Sequence, residues 1–296
     1  MSRWLGEIVF VCVFLLFLWF QMPEENRPEA PRRAPPPVPP ASTEIAVAPP
    51  LPQGLRPLPP PSPADPTVAI SDSGPRTGDS TGTAFAIGPG IWATARHVVE
   101  ECGRVFVSVD GRWQPAREIR AHVAADVAVI RLDAAAPALA FSDRPLGLPQ
   151  HGFHIGYPQS RPGSVQTELL GRATVHWRRL ARPERALVWA EVARVPEFDG
   201  PIGGISGAPV LDNAGRIVGV TTAASPRRGR VTTAVSESLR EIAPPLPQRQ
   251  STAPIRLDAA SFGAVATRTR EADTVSQVYC RLDAGAPAPR RPRPFG

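Results

Sequence analysis

Lysine does not occur in this 296-residue chain, and all 33 basic residues are arginine. Against 27 acidic residues this leaves a formal net charge of +6, which draws the protein toward anionic surroundings only weakly. The absence reads as a codon bias toward GC-rich DNA, although guanidinium groups also suit phosphate and carboxylate contacts. Cysteine is nearly as scarce. Cys12, Cys102 and Cys280 are too few and too scattered for a disulfide framework or a zinc site, both of which need closely paired spacings. They leave open a single Cys102–Cys280 bridge, while Cys12 lies in an apolar run and reads as a small hydrophobe. Helical periodicity is scarce before Val235, which argues against alternating β and α units.

Proline is abundant, at 38 residues, and unevenly placed. Between Pro23 and Pro66 there are 17 prolines in 44 residues. Such a stretch lacks the N–H groups for regular ladders and the apolar side chains for a core, and is expected to be a semi-rigid spacer. Before it, Ile8 to Phe20 is uninterruptedly apolar, and Trp4 to Met22 is long enough to cross a bilayer, with Trp4 and Trp19 near the ends where indoles favour the interface. No small-x-small cleavage site follows, so an uncleaved anchor is the expectation. Arg3 before the segment and Arg27, Arg32 and Arg33 after it pull the orientation opposite ways.

From Thr81 onward, short apolar runs alternate with glycine, asparagine and aspartate, as expected for many short strands. Val105–Val109, Asp126–Leu132, Gly152–Tyr157, Leu187–Val195, Ala208–Leu211 and Ile217–Thr222 read this way, predicting an all-β fold. Ser236 to Ile242 fits a short closing helix with Ser236 as its N-cap. Ile255 to Leu282 is expected to add strands or a small appendage. The Arg290, Arg291 and Arg293 region reads as a disordered basic end. The expected organisation is an anchor at 1–22, a proline-rich linker at 23–76, the folded domain at 77–243 and a Pro/Arg-rich tail at 244–296.

Three segments carry chemistry. Thr81-Gly82-Thr83-Ala84-Phe85 leads to a strand-like run that ends on His97. Asp126 opens the apolar run Val127 to Leu132. The third is Gly204-Ile205-Ser206-Gly207-Ala208-Pro209, a glycine-rich turn around a serine. Each alone is a common loop feature. Together, in the order His, Asp, Ser, they resemble the trypsin-fold serine peptidases, in particular the bacterial HtrA-like (DegP-like) branch, whose blocks read T-G-S-G-F, T-x-x-H-V, D-x-A-V-L-x-V and G-x-S-G-G-P.

The resemblance covers roughly Thr81 to Ile242. It implies two perpendicular β-barrels with the site between them, Ser206 as nucleophile, His97 as general base and Asp126 as orienting carboxylate. It further implies an oxyanion hole from the backbone N–H groups of Gly204 and Ser206, and substrate pairing along Thr221, Thr222 and Ala223. The small side chains of that run suit small or aliphatic residues, whereas Asp199 near a pocket floor would favour basic ones. Ile205 stands where secreted digestive relatives have an acid, so activation by a newly cut amino terminus is not expected. Ala208 replaces a second glycine, and no PDZ domain is expected after Pro244. The family's habit implies a periplasmic domain on the inner membrane.

The implied function is a membrane-anchored serine endopeptidase acting on protein or peptide substrates; the alternative is a trypsin-fold binding protein without turnover. No cofactor is expected. His151 and His154 lie three apart on a strand and face opposite ways, which disfavours a metal site. Arg178, Arg179, Arg182 and Arg185, beside His176 and Trp177, read as a solvated loop rather than a nucleic-acid surface.

Overall fold

In the computed structural model, residues 54–70, 78–246 and 256–282 are described. The expected anchor and most of the proline-rich segment lie outside them. Among the described residues no helix is long and apolar enough to cross a membrane. In chain order the strands are β1 (Arg56–Pro57), β2 (Thr67–Ile70), β3 (Ser80–Gly88), β4 (Ile91–Thr94), β5 (Arg104–Val109), β6 (Arg112–Pro115), β7 (Glu118–Ala121) and β8 (Ala128–Arg131). They continue as β9 (Gly147–Leu148), β10 (His151–Gly156), β11 (Gly163–Trp177), β12 (Glu184–Val195), β13 (Pro209–Leu211), β14 (Ile217–Ser225), β15 (Arg230–Val235) and β16 (Val275–Arg281). The helices are α1 (Arg96–Val99), α2 (Ser236–Ile242) and α3 (Phe262–Glu271).

Six strands close on themselves in the order β10-β13-β14-β15-β12-β11, with β11 pairing back to β10. The sheet β6-β5-β16-β3-β4-β8-β7 remains open. The expected pair of barrels is thus one closed barrel and one half-barrel. The two free edges explain why. All four residues of β7 are exposed, Glu118 and Arg120 among them, and β6 ends on Pro115, which has no N–H to offer. Short, charged, proline-bearing strands of this kind stay unpaired at a sheet edge.

Alternation along the strands builds a shared core. On β3, Phe85 and Ile87 point to one face while Ala84 and Ala86 point to the other, inside the half-barrel with Trp92, Val105 and Val107. Phe85 and Ile87 meet Phe153 and Ile155 of β10, Val220 of β14 and Phe262 of α3 in one cluster, so both sheets pack on the same side chains. The rings of Phe153 and Phe262 lie 5.0 Å apart. Within the closed barrel, Val165, Leu187, Trp189, Val210 and Val231 fill the interior.

Two expected boundaries are corrected. The stretch 256–282 adds a strand, as expected, but as an interior part of the sheet rather than an appendage: β16 sits between β3 and β5, pairing Val275 with Phe85 and Cys280 with Val105. The end of the proline-rich segment likewise joins the fold. Leu58 is buried against the barrel core, β1 pairs with β9, and β2 adds to β11 in parallel. Proline is tolerated there because these pairings lie at sheet edges. At α2, Ser236 is already helical; the cap position is Val235, still extended, and no side chain caps the helix.

Cys102, just after α1, and Cys280 on β16 form a disulfide across a sequence separation of 178. Restricting so long a loop in the unfolded chain is worth about 2–4 kcal/mol. Replacing both cysteines by serine is expected to lower the unfolding free energy by about that amount in a urea titration. A chain ending at Ala243, which lacks β16 and the buried face of α3, is expected to show no cooperative thermal transition by circular dichroism, whereas the full chain does.

Candidate active site

β4 ends at Thr94, whose hydroxyl donates to the Thr83 carbonyl at 2.7 Å. The chain then turns through Ala95 into the single helical turn α1, pinned by buried Val98 and Val99. His97 therefore projects from a helical turn rather than from a strand end. Asp126 precedes β8 and is fully buried. Its Oδ1 accepts the His97 backbone N–H at 2.9 Å, and its Oδ2 lies 2.7 Å from the ring Nδ1. An ionised carboxylate only accepts, so Nδ1 donates and the lone pair of Nε2 is left for a second partner. Burial pushes the Asp126 carboxyl up. The His97 charge and hydrogen bond, the Arg179 charge and the His97 N–H more than offset this and hold it below the ordinary carboxylate value.

The Ser206 turn is laid against the same strand ends. Thr83 N–H donates to the Ser206 carbonyl at 2.9 Å, and Gly207 N–H to the Thr221 carbonyl at 2.8 Å. Gly207 has φ +87°, and a Cβ there would lie 2.1 Å from the Thr83 carbonyl oxygen and 2.9 Å from the Ala95 nitrogen. Only glycine lets the serine turn approach the chain leading to His97 so closely. Gly204, at φ +93°, is equally restricted: a Cβ would lie 2.6 Å from the Tyr157 carbonyl oxygen.

The Gly203 carbonyl accepts from Gln159 N–H. The Gly203–Gly204 peptide is planar and trans, so the Gly204 N–H points the opposite way. Among the described residues neither the Gly204 nor the Ser206 N–H is spent in a backbone hydrogen bond. The Gln159 side chain braces the loop further, donating to the carbonyls of Asp199 and Pro201. Asp199 is solvent-exposed, and its carbonyl rather than its carboxylate engages the protein. Among the described residues the Ser206 hydroxyl makes no hydrogen bond, so the expected bond to His97 is not formed here. Such bonds tighten when substrate binds.

Beside the serine turn, β14 presents Thr221 and Thr222, both buried, and half-buried Ala223. Thr221 N–H donates to the Ala208 carbonyl, and Thr222 Oγ1 donates to the Thr232 carbonyl at 3.1 Å. Behind Thr221, inside the barrel, His154 is fully buried with Nδ1 2.8 Å from Thr221 Oγ1 and Nε2 3.0 Å from Thr167 Oγ1. The Thr167 hydroxyl donates to the Gly152 carbonyl, so it accepts from His154 Nε2–H; Nδ1 then accepts from the Thr221 hydroxyl. Burial lowers the His154 pKa to about 3. His151, as expected, is on the exposed face. Among the described residues no cluster of three or more His, Cys, Asp or Glu could hold a metal.

The hairpin joining β11 to β12 contributes a group that the sequence reading missed. Arg178, Arg182 and Arg185 are solvated as expected, but Arg179 folds under the loop with its side chain 17% exposed. Its guanidinium lies 2.8 Å from Asp126 Oδ2 and 4.0 Å over the Trp177 ring. That ring also stacks beside His97, at 6.4 Å between centroids. Glu184, buried at the start of β12, accepts the Asp126 backbone N–H at 3.0 Å and the Trp177 indole N–H. Burial, with Asp126 beside it, pushes Glu184 up to about 7.

Residues 82–220 match the family model of the trypsin-like peptidase domain, a span that holds His97, Asp126 and Ser206. The chain carries a trypsin-fold serine peptidase domain over these residues. No curated protein matches it. Among solved structures it is similar to the Rv3671c protease of M. tuberculosis in its inactive form, at 19% identity over 54% of this chain and 81% of that one, TM-score 0.45. The active form of that protease matches at 19% identity over 58% and 78%, TM-score 0.46. An HtrA-type protease, AlgW with a decapeptide, matches at 22% identity over 54% and 50%, TM-score 0.43.

The two buried titrating groups predict opposing effects of pH on stability. His154 stays neutral in the fold down to about pH 3 but protonates near 6.5 when unfolded, so its contribution falls as pH drops through that window. Glu184 keeps its proton in the fold up to about pH 7 but releases it near 4.5 when unfolded, so its contribution rises as pH drops from 7 to 4.5. Each slope is about 1.4 kcal/mol per pH unit at most. The wild-type unfolding free energy is expected to stay nearly level from pH 6.5 to 5. His154→Asn, which removes one slope, is expected to become more stable over the same range in urea titrations.

Proposed function

We propose that the protein is a membrane-anchored serine endopeptidase that hydrolyses peptide bonds of protein or peptide substrates through an acyl-enzyme intermediate. The observation that carries this reading is the two-point hold of buried Asp126 on His97, at backbone and ring, in the chain that places Ser206 in a glycine turn beside it. Ser206 Oγ attacks the scissile carbonyl as His97 Nε2 takes its proton. Asp126 fixes the imidazole tautomer and stabilises the imidazolium without taking the proton itself. The tetrahedral oxyanion forms against the N–H groups of Gly204 and Ser206, and the protonated His97 then gives its proton to the leaving amine. Water, activated in the same way, releases the acyl group.

Thr222 and Ala223 pair with substrate backbone beyond Thr221, whose own backbone is spent on the serine turn, and the small side chains of the run favour small or aliphatic residues at the cleaved bond. The segment Trp4–Met22 anchors the chain in the inner membrane, with the peptidase domain on the periplasmic side. The Cys102–Cys280 disulfide supports that side, since such bonds persist in oxidising compartments.

Labelling of the full-length protein by a fluorophosphonate probe is expected for the wild type and absent for Ser206→Ala. Asp126→Asn is expected to retain the fold but lose about 10⁴-fold in turnover, through the wrong His97 tautomer. An unlabelled wild type would leave a trypsin-fold binding protein. Deleting residues 4–22 is expected to move labelling from the membrane to the soluble fraction, as read by fractionation.

A further inference from the structure

The β11–β12 hairpin reaches the catalytic pair through three side chains. Glu184 fixes the Trp177 indole and the backbone of Asp126 at once. Trp177 in turn presents one ring face to the Arg179 guanidinium and stacks beside His97. Arg179 then places its charge 2.8 Å from Asp126 Oδ2, the same oxygen that receives His97 Nδ1–H at 2.7 Å. Oδ1 is left to the His97 backbone N–H. One carboxylate oxygen is therefore divided between a permanent cation and an imidazole whose charge comes and goes.

The other charged groups facing this pair do not substitute for Arg179. Arg96 is spent on Glu100 and on the His122 carbonyl. His122 is itself paired with Glu241. Glu100 reaches the far side of Arg179 at 3.8 Å.

Resting on the reading of Asp126 as the orienting carboxylate, we propose that Arg179 is a positioning residue that extends the working range of the peptidase toward acid. A carboxylate that already holds a guanidinium attracts the imidazolium less, so protonated His97 is stabilised less and the neutral base persists at lower pH. The carboxylate keeps its hydrogen bond and so still fixes the tautomer. The cost falls on the imidazolium alone. A serine peptidase lacking such a cation has the reverse balance, with the imidazolium better stabilised and the base lost earlier on acidification.

The test measures the second-order rate of fluorophosphonate labelling of the full-length protein from pH 4 to 9. In Arg179→Gln the acid limb is expected to move toward alkaline pH by about one unit. At pH 5 labelling is then slower by about tenfold, while the rate at pH 9 stays within about threefold of wild type. Arg179→Lys, which keeps the charge, is expected to hold the limb near the wild-type position. In the Ser206→Ala background, the histidine ring signals followed by NMR are expected to move in the same direction with Arg179→Gln. Arg179→Met, which keeps an aliphatic stem against Trp177, serves if the Gln variant does not fold.

A limb that stays in place or moves to acid in a neutral variant overturns the proposal. So does a loss of rate at all pH values in the Gln and Lys variants alike, which would mark a structural role only. So does failure of both neutral variants to fold while the Lys variant folds. If the wild type does not label, or Asp126→Asn labels as fast as wild type, the triad reading itself falls and this proposal with it.

Discussion

A carboxylate with no access to water is the constraint around which the site is arranged. Asp126 is fully buried, and an isolated ion in such a place would take up a proton or destabilise the fold. The protein answers with donors from separate parts of the chain. The His97 backbone and ring come from α1, the Arg179 guanidinium from the β11–β12 hairpin. α1 belongs to the half-barrel side and the hairpin to the closed barrel, so satisfying one charge also registers the two sheets. The shared cluster around Phe85, Phe153, Val220 and Phe262 supplies the apolar part of the same registration.

Nearby groups are kept from competing. Glu184, close enough to repel Asp126, is pushed up to about 7 and so stays largely protonated in mildly acidic solution. Below neutrality it serves as a hydrogen-bonding support rather than a second anion. His154, the other buried titrating group, is held neutral between two threonine hydroxyls. Its opposite pH response offsets that of Glu184.

The proposed trio stood out in the sequence because each member sits in a short segment with distinctive neighbours. Apolar residues before His97 and after Asp126 mark the strands β4 and β8 that flank them, and the glycines around Ser206 mark a turn in which Gly204 and Gly207 require positive φ. Strand alternation similarly gave β5, β8, β10 and β14 within a few residues. What escaped was set by distant partners. β16 lies 190 residues (275 minus 85) from the Phe85 it pairs with, and nothing local distinguishes it from an appendage strand. The 15-residue β11 is broken up by polar residues and register shifts, which hide its alternation. Arg179 looked like its three solvated neighbours, because only Trp177 below and Asp126 behind make it different. The open edge of the half-barrel depends on which strands fail to meet, a property no single strand carries.

The place of β16 also sets an order of assembly. It fills an interior position between β3 and β5, yet it is made after the other described strands, and its Cys280 closes the bridge to Cys102 beside α1. While the polypeptide is still emerging, the sheet that supports His97 has a gap in its middle. A nascent chain therefore holds His97 and Ser206 on an unfinished scaffold, and the sheet around them is complete only once β16 is in place. This timing ties a complete support for His97 to molecules whose synthesis has run through Arg281.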